Sequence, residues 1–131
     1  MKSYPTSPEL STPRGYSHTV SVTGGRTVYI AGQIALDKDG NVVGKGDFRA
    51  QATQVLENVK AALAAAGATF ADVVKMNTYI VNLSADVLPV VREVRAQYFP
   101  SENLPASTLV GVTALAFPDL LIEVEVIAVV D

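Results

Sequence analysis

Apolar positions along the chain switch between two periods, and the switches mark the elements. His18 to Thr23 carries an apolar residue at every second position and predicts a strand. Gly24-Gly25 follows as a two-residue hairpin signal. Thr27 to Gln33 predicts a second strand, with Val28 and Ile30 on one face. From Asp37 to Gly46 the turn-formers Asp39, Gly40, Gly44 and Gly46 predict a loop. Asp47 then suits a helix N-cap, and Phe48, Ala52, Val55, Val59, Ala62 and Ala66 recur at spacings of three and four until Gly67 stops the pattern. Val73 to Val81 reads as a long strand. A second helix, capped by Ser84 or Asp86 and tolerating Pro89 in its first turn, carries Val87, Val91, Val94 and Tyr98 and ends at Pro100. Two strands close the chain, Thr108 to Thr113 and Leu120 to Val130. In the last, Ile122, Val124 and Val126 share one face, and Glu123 and Glu125 share the other.

The order β-β-α-β-α-β-β predicts an α+β sandwich, a mixed sheet with two helices packed on one face. The other sheet face is left for contacts between subunits. Residues 1–131 read as one domain, with 1–15 as an extended arm. Composition adds weight to the subunit contacts. Hydrophobic residues make up 49% and charged residues 18%, against about 25% charged in an ordinary soluble domain.

The chemistry available is narrow. With no cysteine and one histidine, disulfides, thiolate nucleophiles, zinc fingers and iron–sulfur clusters are excluded. The acidic residues show no metal-ligand spacing, so no metal site is expected. His18 is the one imidazole, without a nucleophile elbow to serve, and reads as a polar residue satisfied at a strand start. Acid–base work falls to carboxylates and tyrosines. Ten Lys and Arg against thirteen Asp and Glu give a net charge of −3. With Arg92 and Arg95 as the densest basic stretch, nucleic-acid binding is disfavoured. The N-terminus has no apolar signal region, and the charge-free run after Asn103 is broken by Pro105, Gly111 and Pro118, so a cytoplasmic protein without a membrane span is expected.

Several short motifs fall in one order: Gly15-Tyr16-Ser17-His18, Val28 to Gln33, Gln51 with Asn58, Ala66-Gly67-Ala68, Asp72 to Lys75, Tyr98-Phe99, Pro105 to Thr108, and Ile122 to Ala128. In that order the sequence resembles the RidA/YjgF family of reactive-intermediate (enamine/imine) deaminases. The resemblance implies a chorismate-mutase-like fold and a homotrimer with small-molecule clefts at the subunit interfaces. It implies no cofactor, since an imine carbon is already electrophilic. By the same resemblance Glu123 and Tyr16 hold the attacking water as the catalytic pair, and backbone at Ala31 and Gly32, next to Gln33, anchors the ligand.

The match is partial at one point. Where the family's deaminating members carry an arginine that grips the substrate carboxylate, this chain has Ser107, and Leu109 stands where a cysteine is frequent. A guanidinium forks onto a carboxylate through two charge-assisted bonds, which a hydroxyl does not replace. The expected protein is thus a divergent member with an altered pocket, in which Arg14, beside Tyr16, is the first candidate to supply the cation and Arg92 the second. Glu125 is expected to be structural. Two other readings stay open: a trimer that binds a small metabolite without turnover, and an endoribonuclease or translation inhibitor, which the acidic charge disfavours.

Overall fold

In the computed structural model, which describes residues 1–131, Asp47 caps the long helix α1 (Phe48–Ala65) by accepting a bond from the Ala50 amide at 3.0 Å. The cap fixes the phase of the helix. Ala52, Val55, Leu56, Val59 and Leu63 turn inward, and a fully buried Val or Leu contributes about 1.5–3 kcal/mol. The Ala66 and Gly67 amides fold back onto the last turn, and Gly67 takes the positive φ of 72° that ends the helix. A single 3-10 turn (Phe70–Asp72), held by Asp72 accepting from the Thr69 amide, leads into the next strand.

The main sheet has four strands: β3 (Arg26–Gln33), β4 (Val73–Val81), β5 (Ala106–Val112) and β6 (Ile122–Val130), in the order β3-β6-β4-β5. β6 runs antiparallel to both neighbours, and β4 and β5 run parallel, joined through helix α2 (Leu88–Ala96). The sheet is mixed, with α1 and α2 on one face, as the periodicity predicts. Val28, Met76, Thr78, Ile80, Ile122, Val124 and Val126 point into that helical layer. The other face, here the open face, carries Tyr29, Lys75, Asn77, Tyr79, Thr108, Val110, Glu123, Glu125 and Ile127. No helix is long and apolar enough to cross a membrane.

Three expectations are corrected. The predicted strand His18 to Thr23 contracts to β2 (Ser21–Val22), which pairs not with β3 but with β1 (Lys2–Ser3) at the chain's start. Gly24 and Gly25 do take the positive φ values of a tight turn, 72° and 84°. A Cβ on Gly25 would stand 2.7 Å from Val129 Cγ1, so the turn lies flat on the end of β6 instead of closing a hairpin. The arm is therefore tied down at its origin, where the N-terminal ammonium also bonds Asp131 at 2.9 Å. Finally, neither Ser84 nor Asp86 caps α2. Val87 occupies the cap position without a side-chain bond, and Pro89, fixed near the helical φ, sits in the first turn behind Leu88.

Gln51 is the one fully buried polar side chain of α1. Its amide nitrogen donates to the carbonyls of Asp119 (2.7 Å) and Gly44 (3.2 Å), and its amide oxygen accepts from the Leu121 amide (2.8 Å). It thereby fixes the loop before α1 and the entry to β6. Asn58, one face along, donates to the carbonyls of Ile34 and Leu36, both at 2.9 Å, and holds the chain leaving β3.

Candidate functional site

β6 delivers two carboxylates to the open face, and cross-strand partners give them different states. Glu125 lies opposite Asn77 in register. It accepts the Tyr79 hydroxyl at 2.6 Å and the Asn77 amide at 3.0 Å, bonds that hold its pKa below the ordinary value. The Tyr79 phenol is correspondingly pushed up, first by its bond to Glu125 and then by burial and the two carboxylates. With Tyr79 committed to Glu125, Glu123 accepts no hydrogen bond within its chain. It is half-buried beside β3, where the ladder slips at a bulge between Ile30 and Gln33.

The bulge brings Gly32 against that free carboxylate. A Cβ on Gly32 would stand 2.0 Å from Glu123 Oε2, so a glycine is needed for the carboxylate to lie on the backbone. The neighbouring Ala31 is on the sheet edge, and its carbonyl accepts the Gln33 side-chain amide at 3.0 Å. Ala31, Gly32 and Glu123 thus form one cluster: a carboxylate with lone pairs to spare beside accessible main chain.

The remaining candidates gather elsewhere. The Ser17 amide donates to the Pro105 carbonyl at 2.9 Å and Ser17 bridges to Ala106, which lays residues 16 to 18 along the start of β5. Tyr16 is half-buried there, edge-on to the His18 ring at 5.3 Å. His18 Nε2 bonds the Ser11 carbonyl at 2.7 Å, a satisfied polar role. Ser107 is in register with buried Met76, and Leu109 with buried Thr78, so both face the helical layer. Leu109 forms part of the wall of a cavity of about 500 Å³ between β5 and α2, which Arg14, Arg92 and Arg95 line together with apolar side chains. The sequence offers Arg14 and Arg92 as replacement cations but carries no such signal for Arg95. Its convergence with Arg14 depends on a contact across eighty residues, Arg95 Nη2 donating to the Gly15 carbonyl at 3.0 Å.

Within one chain the two clusters do not meet. Glu123 and Gly32 belong to the open face of β6 and β3, whereas Ser107 and Leu109 belong to the opposite face of β5, across the intervening β4. Two strand spacings alone separate them by about 10 Å.

Comparison with known proteins gives this arrangement relatives. A model of the family described as endoribonuclease L-PSP matches residues 6–130. The chain is 42% identical over 112 residues to a RutC family protein of Pyrococcus horikoshii, with 85% of each chain covered. It is 37% identical over 116 residues to the 2-iminobutanoate/2-iminopropanoate deaminase of Dermatophagoides farinae, covering 88% of this chain and 86% of that one. Its backbone is similar to the crystal structure of a Rid family protein of unknown function from Yersinia pestis, with a TM-score of 0.90, 41% identity and 98% of both chains covered.

Proposed function

The chain belongs to the endoribonuclease L-PSP family, the RidA/YjgF proteins, and from that premise we propose that it hydrolyses an imine or its enamine tautomer to a carbonyl compound and ammonia. The observation that carries the reading is the free Glu123 carboxylate on Gly32, next to a Glu125 whose lone pairs are already used. A carboxylate without internal partners is placed to take a proton from water. The water oxygen adds to the C=N carbon while its proton passes to Glu123. Glu123 returns that proton to the nitrogen, giving the carbinolamine; the carbinol O–H then gives its proton by way of Glu123 to the nitrogen, C=O forms as the C–N bond breaks, and ammonia leaves. Tyr16 orients the water through its hydroxyl, and main chain at Ala31 and Gly32 anchors the ligand. Such catalysis needs no cofactor. The relative named as a 2-iminobutanoate/2-iminopropanoate deaminase supports this reaction class.

We further propose that the site is completed by a second copy of the chain, in a trimer. Glu123 and Tyr16 lie in separate clusters of one subunit, and packing copies cyclically sets the β5 cluster of one against the β6 cluster of the next. The open face is suited to that packing, since Tyr29 is 77% exposed and Val110 40% on it. The altered pocket belongs to the same reading: with Ser107 in place of the arginine, small imino acids such as 2-iminopropanoate are poor substrates.

The test is hydrolysis of 2-imino acids generated in situ by an amino-acid oxidase, with semicarbazide competing for the imine. The protein is expected to divert imine from semicarbazone to keto acid and ammonia, and to elute at about three chain masses by light scattering. No diversion with any imino acid overturns the enzymatic reading in favour of a metabolite-binding trimer.

A further inference from the structure

The cavity between α2 and β5 combines features that a structural void does not need. Its interior is apolar, with Leu88, Phe99 and Leu109 among its walls, and three arginines (Arg14, Arg92 and Arg95) converge on it without an acidic residue in the lining. None of the three takes part in an ion pair, although each of the chain's four ion pairs uses another cation. Arg95 has one hydrogen bond, to the Gly15 carbonyl, and its guanidinium lies 5.9 Å from the centre of the Phe99 ring. Three like charges brought together and left without a counter-ion repel one another, and an anion relieves that repulsion. The volume of about 500 Å³ is far larger than a carboxylate requires and falls in the range of about 300–1,000 Å³ usual for small-molecule sites.

The place of the cavity matters as much as its lining. Leu109 is two residues from Ser107 on the same face of β5, roughly 7 Å along the strand. The cavity that holds the cations therefore begins two residues along β5 from the position where the sequence lacks its arginine.

We propose that this cavity is the anion-recognition subsite of the imine site, and that the substrate is an amphipathic imine whose carboxylate is bound by Arg92 and Arg14 while an apolar body of aryl or branched-alkyl size fills the space against Phe99 and Leu109. This rests on the hydrolase reading and narrows its substrate class. Arg92 and Arg14 are exposed and bind the anion directly. Arg95, half-buried, is a positioning residue that ties the Gly15 segment to α2 and so keeps Arg14 at the cavity.

The test is a binding measurement, independent of turnover. Calorimetric titration of the full chain compares 4-phenylbutanoate, its neutral amide and acetate. The arylalkyl carboxylate is expected to bind at least about tenfold more tightly than either comparator, since one loses the charge and the other the apolar body. Arg92→Gln and Arg14→Gln each weaken it by about 5- to 20-fold, Arg92→Lys recovers part of the loss, and Lys60→Gln, an exposed cation on α1, leaves it unchanged. Equal affinity for carboxylate and amide, or no response to Arg92→Gln in a folded protein, overturns the inference. Absence of 4-phenylbutanoate binding does the same, and leaves the hydrolase reading standing if imines are still turned over. Arginine-dependent binding with no turnover of any imine does the reverse, sustaining the anion site and removing the enzyme.

Discussion

Gly32 leaves the Glu123 carboxylate a seat that no other residue at that position provides: a methyl group there would lie 2.0 Å from Oε2 and 2.8 Å from Cδ. The atoms in the way belong to the far end of a side chain, so Gly32→Ala is accommodated by swinging Glu123 aside. The backbone at Gly32 is not in the left-handed region, and the fold has no other reason to reject alanine there. Gly32→Ala is therefore expected to cost less than about 1 kcal/mol in denaturant unfolding while lowering kcat by about 10- to 100-fold, because a proton acceptor displaced by an ångström is poorly aligned. A large loss of stability with kcat retained would instead make the glycine a packing residue.

Glu125 is expected to behave as the opposite case. Its Tyr79 and Asn77 bonds lower its pKa from the ordinary 4.5. A carboxyl group whose pKa is depressed by folding stabilises the fold above its unfolded pKa, and that contribution disappears as pH falls through the folded value. Glu125→Gln should thus lower Tm at pH 7, and the gap to the unsubstituted protein should close on acidification below pH 4.5. Turnover should change little. A gap that does not vary with pH would mean that shape at this position matters and charge does not.

Gln51 joins three separate backbone groups, and its removal strands two of them. Gln51→Leu keeps the volume but leaves the Leu121 amide and the Asp119 carbonyl without their partner, while the Gly44 carbonyl keeps the Asp47 amide at 2.9 Å. The expected loss is about 2–4 kcal/mol in urea unfolding. Asp119 and Leu121 lead directly into β6, so weaker hydrogen-exchange protection should spread from there towards Glu123. Protection unchanged across β6 would contradict that path.

How much of this is legible in the sequence depends on the range of the interaction. Strand β4 and the capped start of α1 follow their predicted bounds, because a β-rich run from Val73 to Val81 and an aspartate at position 47 are local signals. The alternation of β6 also fixes that Glu123 and Glu125 share a face. It says nothing of which one stays free, since that depends on Tyr79 and Asn77 of a strand more than forty residues away. Pairing of Lys2–Ser3 with Ser21–Val22 has no periodicity to announce it, and the hairpin signal at Gly24-Gly25 describes the turn correctly but not its strands. The cavity is invisible for the same reason. Arg92 and Arg95 read as a basic stretch on a helix, and only the folded chain brings Arg14 and Gly15 to them.

Subunit mixing tests the central claim, a water-handling site assembled from two copies, most directly. One chain carries Glu123→Gln and the other Tyr16→Phe, and each homo-oligomer is expected to lose about 10²–10⁴-fold and about tenfold or more of imine turnover, respectively. When the two are unfolded together and refolded at equal ratio, clefts that draw Glu123 from one chain and Tyr16 from the other become intact in roughly one case in four. The account predicts recovery of about a quarter of the unsubstituted activity in the mixture. Recovery no greater than the average of the two homo-oligomers would place Glu123 and Tyr16 in one subunit's site and contradict it.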